Sequence, residues 1–184
     1  MDKDEGELTA EDWTKVQTLD LEGEELSDIA PLARLFNLTS LNFSSTQVAD
    51  IAPLAGLTEL TDLNLNDTQV ADIAPLARLI NLTSLNFSST QVADIAPLTG
   101  LTELTDLNLN GTEVADIAPI AGLTSLEVLD LNGTQVADIA PLEILANLTF
   151  LMVGAGQFPR EQMDALRTAR PDLKIMEPNA EEAD

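Results

Sequence analysis

The chain has 184 residues, a formal net charge of −24, and neither cysteine nor histidine; 45% of its residues are hydrophobic but only 3% aromatic. One domain with a core of Leu, Ile, Val and Ala is expected, and the missing cysteines exclude disulfides, thiolate chemistry and cysteine-bound metals. Between Leu35 and Pro159 the single basic residue is Arg78, against 14 Asp and Glu; such a surface repels phosphate backbones and anionic membranes, so nucleic-acid binding is not expected, and without an apolar run long enough to span a bilayer neither is membrane insertion.

The first residues, MDKDEGELTAED, are acidic and lack the apolar stretch of a signal peptide. A cytoplasmic chain and a mature chain whose leader has been removed both fit. Leu8–Trp13 reads as a short helix with Thr9 as N-cap, so residues 1–15 are expected to cap the N-terminal end of the fold, with Trp13 over the first layer.

From Val16 the sequence is periodic. LTSLNFSSTQVADIAPL stands at Leu38–Leu54 and recurs unchanged at Leu82–Leu98, 44 positions on. The Asp-Ile pairs at Asp28, Asp50, Asp72, Asp94, Asp116 and Asp138 set a period of 22. Units begin at Val16, Leu38, Leu60, Leu82, Leu104 and Leu126, and a degenerate seventh begins at Leu148. The organisation is therefore six repeats over 16–147, a degenerate repeat with a C-terminal cap over 148–177, and an acidic tail over 178–184 expected to be disordered.

Each unit reads L-x-x-L-x-L-x-x-T-x-V-x-D-I-x-P-L-x-x-L. The alternating part is a strand with one buried face, as in Ser40–Phe43, Asp62–Leu65, Ser84–Phe87, Asp106–Leu109 and Val128–Leu131. Strands recurring in one direction form a parallel sheet along a coil, and seven coils at ~4.8 Å stack to about 35 Å. The Asp-Ile-Ala-Pro segment is too short for an α-helix and reads as a 3₁₀ turn with Asp as N-cap. The Thr46, Thr68, Thr90, Thr112 and Thr134 series should satisfy backbone after each strand. After the last coil, Pro159–Arg167 is expected to be a helix replacing the 3₁₀ turn, with Met163 and Leu166 inward. Leu173–Met176 should close the sheet.

The unit LTELTDLNLNDTQVADIAPLARL resembles the 22-residue leucine-rich repeat of internalin-like bacterial proteins, over Val16 to about Asn147. The resemblance implies an α/β solenoid: a right-handed leucine-rich-repeat superhelix with a concave parallel sheet, convex 3₁₀ or extended turns, helical caps at both ends, and protein binding on the concave side. It also implies a secreted or cell-surface location if a signal was removed; otherwise localisation is open. Thr stands at the ladder position after the strand, where that family often has Asn.

Catalysis is not expected. Without His, Cys or Tyr most general bases and nucleophiles are gone. The carboxylates Asp62 and Asp106 would sit two coils apart, at ~10 Å, with Ser84 between them. Asp20, Glu22 and Glu24 cluster without calcium-loop spacing. No cofactor or metal site is assigned, and a monomer is expected.

What remains is the outward side of the sheet, with rows Thr18, Ser40, Asp62, Ser84, Asp106, Val128, Phe150 and Asp20, Asn42, Asn64, Asn86, Asn108, Asp130, Met152. Interface energy concentrates in aromatic and other large side chains. The expected partner anchor is therefore Val128, Phe150 and Met152 with Met176 beside them, surrounded by Asp62, Asn64, Asn86, Asp106, Asn108 and Asp130. The leading reading is a non-catalytic protein-interaction module with an acidic polar concave sheet and a partner not identified by the sequence. The alternatives are a passive or consensus-engineered scaffold, and a binder of a regular polymer or surface such as glycan, mineral or ice. A further rival places Phe150 and Met152 under the C-terminal segment, as cap residues.

Overall fold

The computed structural model describes residues 13–177. Apart from Trp13, the expected N-terminal helix lies outside the described residues, as does the tail 178–184. Eight three-residue strands are laid down in chain order: β1 (Thr18–Asp20), β2 (Ser40–Asn42), β3 (Asp62–Asn64), β4 (Ser84–Asn86), β5 (Asp106–Asn108), β6 (Val128–Asp130), β7 (Phe150–Met152) and β8 (Lys174–Met176). They form one parallel sheet in the order β1 to β8. Equivalent residues pair from coil to coil, Leu41 with Leu63 and Leu63 with Leu85, so register follows the sequence period directly.

Opposite the sheet run six 3₁₀ helices: Ala30–Arg34, Ala52–Gly56, Ala74–Arg78, Ala96–Gly100, Ala118–Gly122 and Ala140–Ile144. Each carries Pro in its first turn, where a missing N–H leaves no bond unmade. The constant spacing fills the space between turn and sheet with Leu, Ile and Val. Leu54, Leu76, Leu98, Ile120 and Leu142 are all fully buried, and Phe43 and Phe87 replace Leu at the strand ends of alternate coils.

Polar side chains close the backbone around this core. Thr39, Thr61, Thr83, Thr105 and Thr149 donate their hydroxyls to the carbonyls of Gln17, Thr39, Thr61, Thr83 and Glu127, one coil back, at 3.0 to 3.2 Å. The expected Thr series after the strands behaves as read: Thr46 donates to the Phe43 carbonyl at 2.7 Å, and Thr68, Thr90, Thr112 and Thr134 do the same in their coils.

The Asp series acts one residue away from where an N-cap would place it. The residue capping each 3₁₀ helix is Ile (Ile51, Ile73 and their equivalents). The preceding Asp reaches over it: Asp72 Oδ1 accepts the Ala74 N–H at 2.8 Å, as Asp28, Asp50, Asp94, Asp116 and Asp138 do in their coils. The Ile is needed in the core, so the carboxylate caps from outside as an Asx turn.

Both ends differ from the middle. At the start, Trp13, Val16, Leu19, Leu21, Leu26 and Leu32 are only partly buried against the core. At the other end, α1 (Arg160–Ala169) replaces the 3₁₀ helix and buries Met163 and Leu166, with Phe158 and Leu173 alongside. Three long polar side chains there stand in for a missing coil. Gln157 Nε2 donates to the Leu131 carbonyl at 3.0 Å while its Oε1 accepts the Gly154 N–H at 2.7 Å. Gln162 Nε2 donates to the Ala137 carbonyl at 3.0 Å. The Arg170 guanidinium donates to the carbonyls of Leu145, Ala146 and Leu148.

Two substitutions probe the turns on either side of the core. Replacing Asp72 by Ala should cost ~1 kcal/mol through the lost turn cap, read as a lower denaturant midpoint, with binding unchanged. The turns after β1 to β6 each hold one residue at positive φ three positions past the strand: Gly23, Gly111 and Gly133 in three coils, but Ser45, Asp67 and Ser89 in the others. Asp67, at φ 53°, is in the left-handed region, which Asp tolerates better than most residues but glycine enters at no steric cost. Asp67→Gly should therefore stabilise by up to about 1 kcal/mol, measured the same way; an unchanged or lower midpoint would count against strain at this turn.

Candidate functional site on the concave sheet

The two outward rows behave differently. In the first, Asp62 and Asp106 are exposed, while Ser84, Val128 and Phe150 are half-buried. Each of the two carboxylates lies within hydrogen-bond distance of the threonine hydroxyl before it, Thr61 at 2.6 Å and Thr105 at 2.7 Å, and shares that single donor with the carbonyl one coil back. They remain separate solvated groups two strands apart.

The second row faces less outward than alternation implies. Asn42, Asn64, Asn86 and Asn108 are half-buried, and each Oδ1 accepts the N–H two residues on, at Ser44, Asn66, Ser88 and Asn110, at 2.9 to 3.1 Å. The side chain curls back onto its own strand end. Asn64, Asn86 and Asn108 therefore offer a partner their amide nitrogens more freely than their oxygens, each of which already accepts at least one bond. At the N-terminal edge, Asn42 Nδ2 donates to Asp20 Oδ1 at 3.0 Å and to Glu22 Oε2 at 3.3 Å.

Asp130 is the extreme case. It continues the Asn series, accepting the Asn132 N–H at 2.8 Å, but is only 7% exposed. An outward-facing contact was expected at this position; the carboxylate is instead enclosed between coils. Burial raises its pKa above the ordinary carboxylate value, and hydrogen bonds from the Asn132 backbone and the Asn110 side chain only partly oppose this.

The expected apolar end is organised by register. Val128 pairs with Phe150 and Phe150 with Lys174; Asp130 pairs with Met152 and Met152 with Met176. Phe150 and Met152 are half-buried, and Met176 is 51% exposed. β8 extends the sheet beside β7 and α1 lies on the side of the 3₁₀ helices, so the C-terminal segment does not cross the concave face above Phe150. One open depression of about 230 Å³ brings Val128, Asp130 and Met152 together with Ser84, Asn86, Asp106 and Asn108; a second, of about 260 Å³, joins Asp62 and Asn64 to Ser40, Asn42 and Asn86. Phe150 and Met176 line neither.

Lys174, exposed next to Phe150, was missed by sequence reasoning. The step from Phe150 to its partner is 24 residues rather than 22, so extending the repeat does not find it. The recognisable Leu173–Met176 strand was the available signal.

Asp130 gives a pH prediction. A raised pKa means the fold favours the neutral acid: this stability is fully present below the unfolded carboxylate pKa of about 4 and is lost as pH rises through the folded value. Asn serves the same turn in four other coils. Asp130→Asn should therefore raise the thermal midpoint at neutral pH, and the gap from the parent should narrow as pH falls towards about 4. A pH-independent gap would contradict the burial argument.

The chain matches a family model described as leucine-rich repeats (2 copies) at residues 36–78 and again at 80–122. No curated protein sequence matches it. Among solved structures it is similar to internalin C2 of Listeria monocytogenes, with 28% identity and a TM-score of 0.85, covering 94% of this chain and 77% of that one. An internalin (inlF) of the same organism shares 26% identity at a TM-score of 0.68, and the chain spans 58% of its length. A leucine-rich-repeat protein of Leptospira interrogans, 22% identical, has the same fold at a TM-score of 0.83 over 90% of this chain and 44% of that one. Repeat pattern, eight-stranded parallel sheet and solved neighbours agree that the chain forms a leucine-rich-repeat solenoid similar to that of the internalins.

Proposed function

We propose that the chain is a non-catalytic protein-binding module whose concave sheet anchors a partner at its C-terminal end. Leucine-rich-repeat proteins generally act as protein-interaction scaffolds, and the observation that carries the finer reading is the change in character along the outward rows. From β1 to β5 they hold Thr, Ser, Asn and Asp; at β6 to β8 they hold Val128, Phe150, Met152, Met176 and Lys174. The apolar group supplies area, and Lys174 adds a cation at the rim of an otherwise acidic surface. The exposed Asp62 and Asp106 would disfavour acidic partners and set register.

A regular polymer ligand ranks behind this. A lattice binder should present one set of groups along its whole length, whereas this row changes from Asn64, Asn86 and Asn108, each bonded to its own turn, to Asp130 and Met152. The near-identity of coils is what supports a passive scaffold. A secreted or surface location accords with the internalin neighbours; among the described residues no helix is long and apolar enough to cross a membrane.

The test is affinity capture from the native source with the parent and the Phe150→Ala, Met152→Ala double variant. Burying both side chains is worth roughly 2–4 kcal/mol at ~25 cal/mol per Å², so a partner bound there should be lost from the variant, with thermal stability checked in parallel. Equal capture by both forms would move the interface elsewhere; no specific capture by either would favour the scaffold.

A further inference from the structure

The sequence Leu-Asn-Gly-Thr occurs twice, at Leu109–Thr112 and Leu131–Thr134, at the same place in successive coils. Both glycines stand at positive φ, 65° and 69°. Their surroundings differ in the two features that govern attack by a glycine nitrogen on the preceding carboxamide. At the first site the Gly111 N–H donates to the Asn132 carbonyl at 2.8 Å, and the Asn110 side chain is hydrogen-bonded to Asp130. In the coils before it, Ser45, Asp67 and Ser89 are tied to the next coil in the same way.

At the second site there is no regular next coil. The chain turns early through Gly154–Gln157, and Gln157 bonds Leu131 and Thr134 on either side of Asn132-Gly133. Among the described residues, neither the Gly133 N–H nor the Asn132 carboxamide has a hydrogen-bond partner. Gly133 is exposed and Asn132 half-buried.

We propose that Asn132 is a selective site of spontaneous deamidation in the folded protein, and that Asn110 is protected. The Gly133 nitrogen gives up its proton and forms a bond to Asn132 Cγ. The Cγ–Nδ2 bond breaks and the nitrogen leaves as ammonia, closing a succinimide. Water then opens the ring at either carbonyl, leaving aspartate or isoaspartate. Water is the only co-reactant, and no redox change occurs.

The product falls at a sensitive place. The Asn132 N–H is held by the buried Asp130 carboxylate, so aspartate sets a second negative charge beside the first, and isoaspartate lengthens the backbone within the turn that leads from β6. Either product loosens the C-terminal end of the concave sheet. The modification thus stands independently of the proposed binding function but would act on its anchor.

The two sites share identical immediate neighbours, which makes each the control for the other. Folded protein is held in mildly alkaline buffer at physiological temperature, then cleaved after glutamate, separating Asn110 (fragment Leu104–Glu113) from Asn132 (fragment Val128–Glu143). Mass spectrometry follows the amide-to-acid gain in each. Conversion at Asn132 should be about tenfold faster or more, the factor that one protecting hydrogen bond supplies, and the two rates should converge in denaturant. Gly133→Ser, which introduces the residue that Ser45 and Ser89 already place at this turn, should keep the fold and slow conversion. Equal rates in the folded state, a faster Asn110, a difference that persists in denaturant, or no slowing by Gly133→Ser would each overturn the proposal.

Discussion

The constraint on which everything else rests is that no coil can satisfy its own backbone. A single three-residue strand has no partner within its coil, so its N–H and C=O groups must find the coils before and after. The Thr61 carbonyl shows how far this goes: it accepts from the Thr83 N–H, the Ser84 N–H and the Thr83 hydroxyl. A constant spacing, here 22 residues, lets every coil both offer and receive the same bonds. Variation at inward positions is correspondingly narrow, Phe for Leu at a strand end or Ile for Leu behind a 3₁₀ helix, and function is pushed to the outward positions and to the ends.

The ends solve the same problem by other means. Where the array stops, Gln157, Gln162 and Arg170 replace backbone donors with side-chain donors, while α1 covers with Met163 and Leu166 the apolar layer that another coil would have covered. The polar and apolar halves of the cap are separate tasks carried by different residues of one short segment. At the N-terminal side the half-buried Trp13 and Leu32 mark the layer whose covering is incomplete among the described residues.

The periodic part of the fold was legible because each inward position is dictated by one repeating geometry; Leu41, Val48, Ile51 and Leu54 could be assigned from spacing alone. Alternation failed for the second outward row. It gives the direction of Cβ but not the bend of a short amide back to its own chain, so Asn64, Asn86 and Asn108 looked freer than they are, and Asp130 looked exposed when it is enclosed. The Thr and Asp series were read in the right role because their partners are local, although the Asp carboxylate proved to cap from one residue further out. Gln157, Gln162, Arg170 and Lys174 lie where the period breaks, and there sequence spacing no longer measures position. Spacing thus put the apolar residues of the candidate site at outward strand positions, where they lie, and misjudged the exposure of the polar ones.

The 17 residues repeated without change from Leu38 and from Leu82 have one more consequence. Because strands pair with equivalents in the neighbouring coil, a chain that skips two coils during folding still finds complementary partners along most of the sheet. An exchange of coils between two molecules is nearly matched in the same way. Interior contacts cannot tell these arrangements from the native one. The distinction falls to the non-repeating residues, Trp13 at one end and the α1 segment with its three polar clamps at the other. The caps therefore act as the markers that count the coils, and the uniqueness of the native register resides in the least repetitive residues of the chain.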